Sequence, residues 1–208
     1  MAIAKHGING PFSGKIGSVI GYEVGGQHVM RSVGRRTKPF NERELLNQAK
    51  MKVVSEFLRP IKPYIQLGFG QLASAQQRIG AFQLAQSYTF KQAIELNVNG
   101  KPFVNPEKVL ISTGELVPPS DLSVLREGNR LTFQWDSSEG NKFDRLMVLL
   151  YDSVQFSFFL EAGANRREGR ETWDVEYLNH LNTPMHVYAA FRDTITGGIS
   201  GSVYCGVI

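Results

Sequence analysis

Cysteine is all but missing from this chain: Cys205 stands alone among 208 residues. An intramolecular disulfide is therefore impossible, and a cysteine-rich secreted framework is excluded. The setting of Cys205, the apolar run SVYCGVI, reads as a packed strand residue rather than a nucleophile. Long apolar runs are missing too. Hydrophobic residues make up 42% of the chain, yet no stretch approaches the roughly 20 apolar residues that cross a bilayer. The opening MAIAKHGING has no continuous apolar core of the signal-peptide kind. The sequence assigns no compartment: it fits the cytoplasm, and equally export by a specialised route that leaves no mark in it.

Catalytic groupings are equally thin. His6, His28, His180 and His186 are too scattered to ligate a metal, and neither cysteine nor a convincing carboxylate accompanies His180 and His186. Asp136 with Glu139, and Asp144 with Asp152, form the only carboxylate pairs that invite an acid–base reading, and turn capping explains them as well. No serine occupies a nucleophile-elbow context. GPFSGKIGS departs from a phosphate-cradling loop because Gly10 and Gly14 enclose three residues, not four, and Ile16 follows Lys15 where Ser or Thr is required. These readings predict a non-enzyme that holds no cofactor and no metal.

What the chain does have is a basic, glycine-rich beginning. Its first 40 residues carry a net charge of +5, and Ile3, Ile8, Phe12, Ile16, Val19, Ile20, Tyr22 and Val24 punctuate them. Glycines interrupt any helix there, and the β-branched residues favour strands. VIGYEV and QHVMRSV flank Gly25-Gly26 in the manner of a β-hairpin. Charge is divided along the chain: residues 1–100 hold 13 Lys or Arg against 5 Asp or Glu, and residues 101–208 hold 10 against 14, a balance of +8 and −4. Halves of opposite sign steer head-to-tail association, and a basic half also suits an acidic protein or nucleic acid.

Helical periodicity begins beyond the basic stretch. Asn41 and Glu44 have the spacing of a capping box, and Leu45, Ala49, Val53 and Phe57, widened by Leu46, Val54 and Leu58, form an apolar stripe. Pro60 ends this helix. A short helix or turn over IKPYIQL follows, then an Ala- and Gln-rich segment from Leu72 to Leu96 that forms one helix or two. Asn99-Gly100 marks a tight turn. Strands are expected at 107–116, 120–126, 130–136, 144–152, 154–162, 170–176, 184–193 and 199–207, with a turn at Arg126–Asn129. The links between them are too short for crossover helices, so the pattern predicts two packed sheets.

PPSDLSVLREGNRLTFQWDSS, with Trp135 on its second strand, and the ending HVYAAFRDTITGGISGSVY resemble a fibronectin type III domain over residues 115–208. Met185 or Val187 falls where that family's corner tyrosine is expected. FSGKIGSVIG at Phe12–Gly21, VMRS at Val29–Ser32, LRPIKPYIQLGF at Leu58–Phe69 and the ending SVYCGV resemble, over nearly the whole chain, a Bacteroidota family of about 200-residue proteins of unknown function. That resemblance implies no activity; it implies that the N-terminal segment belongs to the fold.

The predicted fold class is α+β: a glycine-rich N-terminal extended segment or hairpin over 1–40, a short helical region over 41–98, and a C-terminal fibronectin type III-like β-sandwich over 99–208. The predicted function is that of a structural or interaction protein that assembles with copies of itself through its N-terminal segment. Ile8, Phe12, Ile16, Val19 and Tyr22 are the expected apolar contacts, and Arg31, Arg35 and Arg36 are expected to meet acidic groups of the second half. Another protein is a further possible partner. Nucleic-acid binding by the basic half, and glycan binding by Trp135, Trp173 and Tyr177, are the alternatives.

Overall fold

The computed structural model describes residues 3–4, 10–75, 79–178 and 183–208. The chain divides into two compact units, Met1–Leu45 and Leu46–Ile208. The first is an antiparallel meander of β1 (Ile3–Ala4), β2 (Phe12–Ile16), β3 (Val19–Val24) and β4 (Gln27–Ser32), paired in chain order. The expected hairpin is present. Gly25 and Gly26 sit at φ 56° and 75°, the left-handed backbone that a two-residue turn between twisted strands requires. GPFSGKIGS is strand and turn, not the loop-to-helix junction that cradles phosphate.

The capping box at the start of α1 (Glu42–Leu58) also forms as expected. Glu44 N–H donates to Asn41 Oδ1 at 2.8 Å, and Asn41 N–H donates to Glu44 Oε2 at 2.9 Å. The apolar stripe is buried only toward the end of the helix, at Val54, Phe57 and Leu58, whereas Leu45 and Met51 are exposed. Beyond Pro60 come α2 (Lys62–Gly68), α3 (Gly70–Ala75) and α4 (Ala81–Gln92), so the Ala- and Gln-rich segment forms two helices. Ile94 leaves the helical face and enters a small hairpin of β5 (Ile94–Leu96) and β6 (Pro102–Val104), turned at Gly100 with φ 71°.

Seven further strands follow: β7 (Ser123–Glu127), β8 (Arg130–Gln134), β9 (Arg145–Tyr151), β10 (Ser157–Leu160), β11 (Arg170–Asp174), β12 (His186–Arg192) and β13 (Val203–Val207). They form a three-stranded sheet, β11-β8-β7, and a four-stranded sheet, β10-β9-β12-β13. Leu131 and Phe133 of β8 share one buried cluster with Leu146, Val148 and Leu150 of β9 and Val187, Ala189 and Phe191 of β12. One face of each sheet therefore packs against the other.

Alternation along β9 and β12 sends Leu149, Tyr151 and Tyr188 to the opposite side, where they pack with Val54, Phe57, Leu58, Ile61, Ile65 and Phe69 of the helical layer. Each such side chain contributes about 1.5–3 kcal/mol by leaving water. Two buried phenols tie the layers together: Tyr151 O–H donates to the Phe57 carbonyl at 2.9 Å and Tyr188 O–H to the Pro106 carbonyl at 2.8 Å. The segments 41–98 and 99–208, distinct in sequence pattern, thus share a core from Leu46 onward.

The strand expected at 107–116 does not form. A 3₁₀ turn covers Pro106–Lys108, and the chain beyond it is held by serines rather than by a ladder. Ile111 N–H donates to Ser202 Oγ at 2.9 Å, and Ser112 Oγ donates to the Ser200 carbonyl at 2.9 Å. Val109 and Ile111 are buried at alternate positions, which is why the segment reads as a strand.

Candidate functional site

The expected contact residues lie in the first unit, and register divides them between two faces. Directly opposed residues of an antiparallel pair share a face. Lys15, Ile20 and Arg31 are in register across β2, β3 and β4, and Tyr22 faces Val29, so Tyr22 and Arg31 occupy one face. Ile16, Val19 and Ser32 are in register on the other, beside the row Gly14, Gly21 and Met30. A Cβ added to Gly21 would lie 2.7 Å from the Phe12 ring, so Phe12 folds onto this second face and glycine is required beneath it. Ile8 lies outside the described residues.

Among the described residues of the first unit, Gly21 alone is buried. Ile16 remains 54% exposed and Met30 69%. Met30 was not among the residues expected at the site; its strand position opposite Gly21, beside Phe12 and Ile16, is the signal that marks it. The apolar side chains of this sheet thus meet water on both faces.

The arginines are placed differently from one another. Arg31 Cζ stands 6.0 Å from the centroid of the Tyr22 ring, and Arg35 is exposed between β4 and α1. Arg36 is engaged within its own unit: Nη2 pairs with Glu44 Oε2 at 2.6 Å, Nε donates to the Lys38 carbonyl at 2.8 Å, and the guanidinium lies 3.8 Å over the Phe40 ring. The Asn41 backbone N–H, helped by Arg36, holds the Glu44 carboxyl below its ordinary range.

The acidic pairs of the second unit serve turns and the core. Asp136 accepts from Ser138 N–H and Oγ at 2.9 and 2.6 Å, bonds that keep its carboxyl below the usual range. Asp152 Oδ1 accepts from the N–H groups of Val154, Gln155 and Phe156. Asp144 is buried against Arg166. Burial pushes the Cys205 thiol up to about 12, so it stays protonated at neutral pH. His186 Nδ1 lies 2.9 Å from Tyr204 Oη. His28 is exposed on β4, and His6 and His180 lie outside the described residues. Among the described residues no three His, Cys, Asp or Glu side chains gather to hold a metal, and no helix is long and apolar enough to cross a membrane. Of the aromatic candidates, Trp135 is buried on Phe191 and donates Nε1–H to the Arg166 carbonyl at 2.8 Å; Trp173 packs against the inter-sheet core; Tyr177 is exposed.

The model of a family of unknown function, DUF6266, matches residues 11–206. This chain belongs to that family. The matched region of this DUF6266 member includes β2, β3 and β4, so the N-terminal sheet is part of what defines the family. No curated protein matches the chain. Among solved structures, the solution structure of the fn3 domain of the human collagen alpha-1(XX) chain is similar over 47% of this chain and 89% of that one, at 16% identity and a TM-score of 0.34.

Proposed function

We propose that this protein is a non-enzymatic structural or interaction protein that assembles with copies of itself through its N-terminal sheet. One observation carries the reading: a four-stranded sheet presents apolar side chains on both faces while Gly21 alone is buried among its described residues. A sheet of this width gains little stability until one face is covered. The charge division, +8 over residues 1–100 and −4 over 101–208, supports a head-to-tail contact in which the basic sheet of one copy meets the acidic half of the next. A head-to-tail contact that does not close into a ring grows into a filament.

The test compares full-length protein with the full-length double variant Ile16→Glu/Met30→Glu by light scattering and electron microscopy. Ile16 and Met30 are 54% and 69% exposed, so covering both is worth about 2–4 kcal/mol, or roughly 30-fold to several hundred-fold in affinity. The variant is expected to fall to monomers where the wild type forms ordered particles. A monomeric wild type, or a variant that assembles unchanged, overturns the reading. The nucleic-acid alternative draws on Lys15 and Arg31 beside Tyr22 on the other face. Retention on random-sequence DNA that fades with salt is its mark.

A further inference from the structure

We infer that the contact includes a strand addition at the edge of the covered face, in which β4 of one copy extends the four-stranded sheet of the next copy along β10. The inference rests on the self-association proposed above and names the two edges that meet. β4 ends the N-terminal sheet and β10 ends the four-stranded sheet of the second unit. An edge strand presents a row of backbone donors and acceptors that another strand can use, and proteins usually blunt it with proline, glycine, a bulge or charge.

The other edges of the two packed sheets carry such devices. β7 carries the charges of Arg126 and Glu127. β11 holds an ion pair, Asp174 with Arg130 at 2.9 Å. β13 has Gly206 at φ 96° and a register shift against β12. β10 reads SFFL, with no charge, proline or glycine; β4 has no proline or glycine, and its one formal charge is Arg31.

Hydrogen-bond parity shows which backbone groups face outward. Val33 N–H donates to the Ser18 carbonyl at 2.7 Å, so the alternate residues Arg31, Val29 and Gln27 bond toward β3. The N–H and C=O groups of His28, Met30 and Ser32 therefore point away from it. In the same way Asp152 N–H donates to the Phe156 carbonyl at 3.1 Å, which turns Phe158 and Leu160 toward β9 and leaves Ser157 and Phe159 pointing outward.

An antiparallel register that sets Met30 opposite Phe159 pairs outward groups with outward groups. It also places Val29 opposite Leu160, Arg31 opposite Phe158, Ser32 opposite Ser157 and His28 opposite Glu161. Apolar residues meet apolar ones, a cation meets an aromatic ring, and no like charges oppose. Arg35 then runs on toward the loop that Asp152 organises. The occupant is a second copy of this chain, because its β4 supplies a strand of matching parity, Val29 and Met30 for the apolar Leu160 and Phe159, and Arg31 for the Phe158 ring, while Glu161 beside β10 is paired with Arg192 of its own chain.

The test uses full-length Met30→Pro and Ser157→Pro chains. Each removes an N–H that points out of its sheet and spares the ladder within the chain. Each variant alone is expected to be monomeric. Mixed one to one, they are expected to form dimers and nothing larger, since only one intact β4 and one intact β10 remain in each pair. Ser157→Pro protein that assembles like the wild type, while Met30→Pro does not, overturns β10 as the acceptor and leaves self-association standing. A monomeric wild type removes both. A second measurement does not depend on how proline is tolerated: His28→Cys and Glu161→Cys chains are mixed and oxidised. A disulfide-linked dimer that forms only in the mixture supports the register, and its absence from wild-type-like assemblies overturns it.

Discussion

Replacing Asp144 by asparagine should remove much of the stability of the second unit. Arg166 is fully buried; its guanidinium stacks 3.7 Å from the centroid of the Phe191 ring, and a Cβ on Gly140 would come within 2.8 Å of its Cζ. Nη2 donates to the Val117 carbonyl and lies 3.5 Å from Asp144 Oδ2. The main chain is locked as well, with Arg166 N–H donating to the Asp144 carbonyl at 2.7 Å. Burial pushes the Asp144 carboxyl above its ordinary range and Arg166 below its own, and the charge of each partner opposes the shift of the other only in part.

Asp144→Asn keeps the shape and removes the counter-charge, leaving a guanidinium uncompensated in the core. Breaking a buried pair in this way costs about 3–5 kcal/mol, set against a total of about 5–15 kcal/mol for a domain. At a urea dependence near 2 kcal/mol per molar, the unfolding midpoint should fall by about 1.5–2.5 M. Equilibrium urea titration followed by tryptophan fluorescence reads this through Trp135, whose Nε1–H is bonded to the Arg166 carbonyl. The double variant Asp144→Leu/Arg166→Met should recover most of the loss, because an apolar pair of similar volume has no desolvation penalty to offset. A midpoint shift below about 0.5 M for Asp144→Asn would refute the argument, since it would mean that the charge is hydrated and needs no partner.

Two further predictions concern packing and pH. Gly68→Ala places a Cβ over the Ile111 carbonyl oxygen and 2.9 Å from Ser112 Cβ, where Thr113 N–H also bonds the Gly68 carbonyl at 3.1 Å; the thermal midpoint by calorimetry should drop with a loss of about 1–3 kcal/mol, and an unchanged midpoint would contradict the packing described. Burial holds the His186 imidazole below its ordinary value near 6.5 despite the opposing charges of Glu107 and Asp152. The unfolded chain therefore takes up that proton first, so the contribution of His186 is fully present above the ordinary histidine range and is lost as pH falls through it. Denaturation midpoints measured from pH 7.5 to 5 should decline less steeply in His186→Gln than in the wild type, and parallel curves would exclude the effect.

The fold was readable wherever a local rule and the tertiary structure agreed. Asn41 and Glu44 cap α1 because a helix terminus leaves N–H groups that nearby side chains satisfy without help from elsewhere. Gly25-Gly26 makes its hairpin because few other residues adopt that backbone. Pro60 and Asn99-Gly100 act in the same local way. The segment 107–116 does not obey the same local rule: alternation at Val109 and Ile111 is real, but its bonding partners, among them serines some 90 residues away, are distant in the chain, and no local pattern announces them. At the candidate site, Phe12, Ile16, Val19 and Tyr22 were visible as an apolar series; their division between two faces, and the place of Met30 among them, depend on register.

Composition and local chemistry by themselves determined the N-terminal hairpin, the turns and caps, and the opposition of a basic beginning to an acidic end, because each of these is set by residues close in the chain. Only the tertiary structure decided that the helices share a core with the four-stranded sheet, that Arg166 and Asp144 are buried together, and that β4 and β10 are edges. Those facts turn on which distant segments exclude water from one another, and that exclusion is a property of packed surfaces rather than of neighbouring residues.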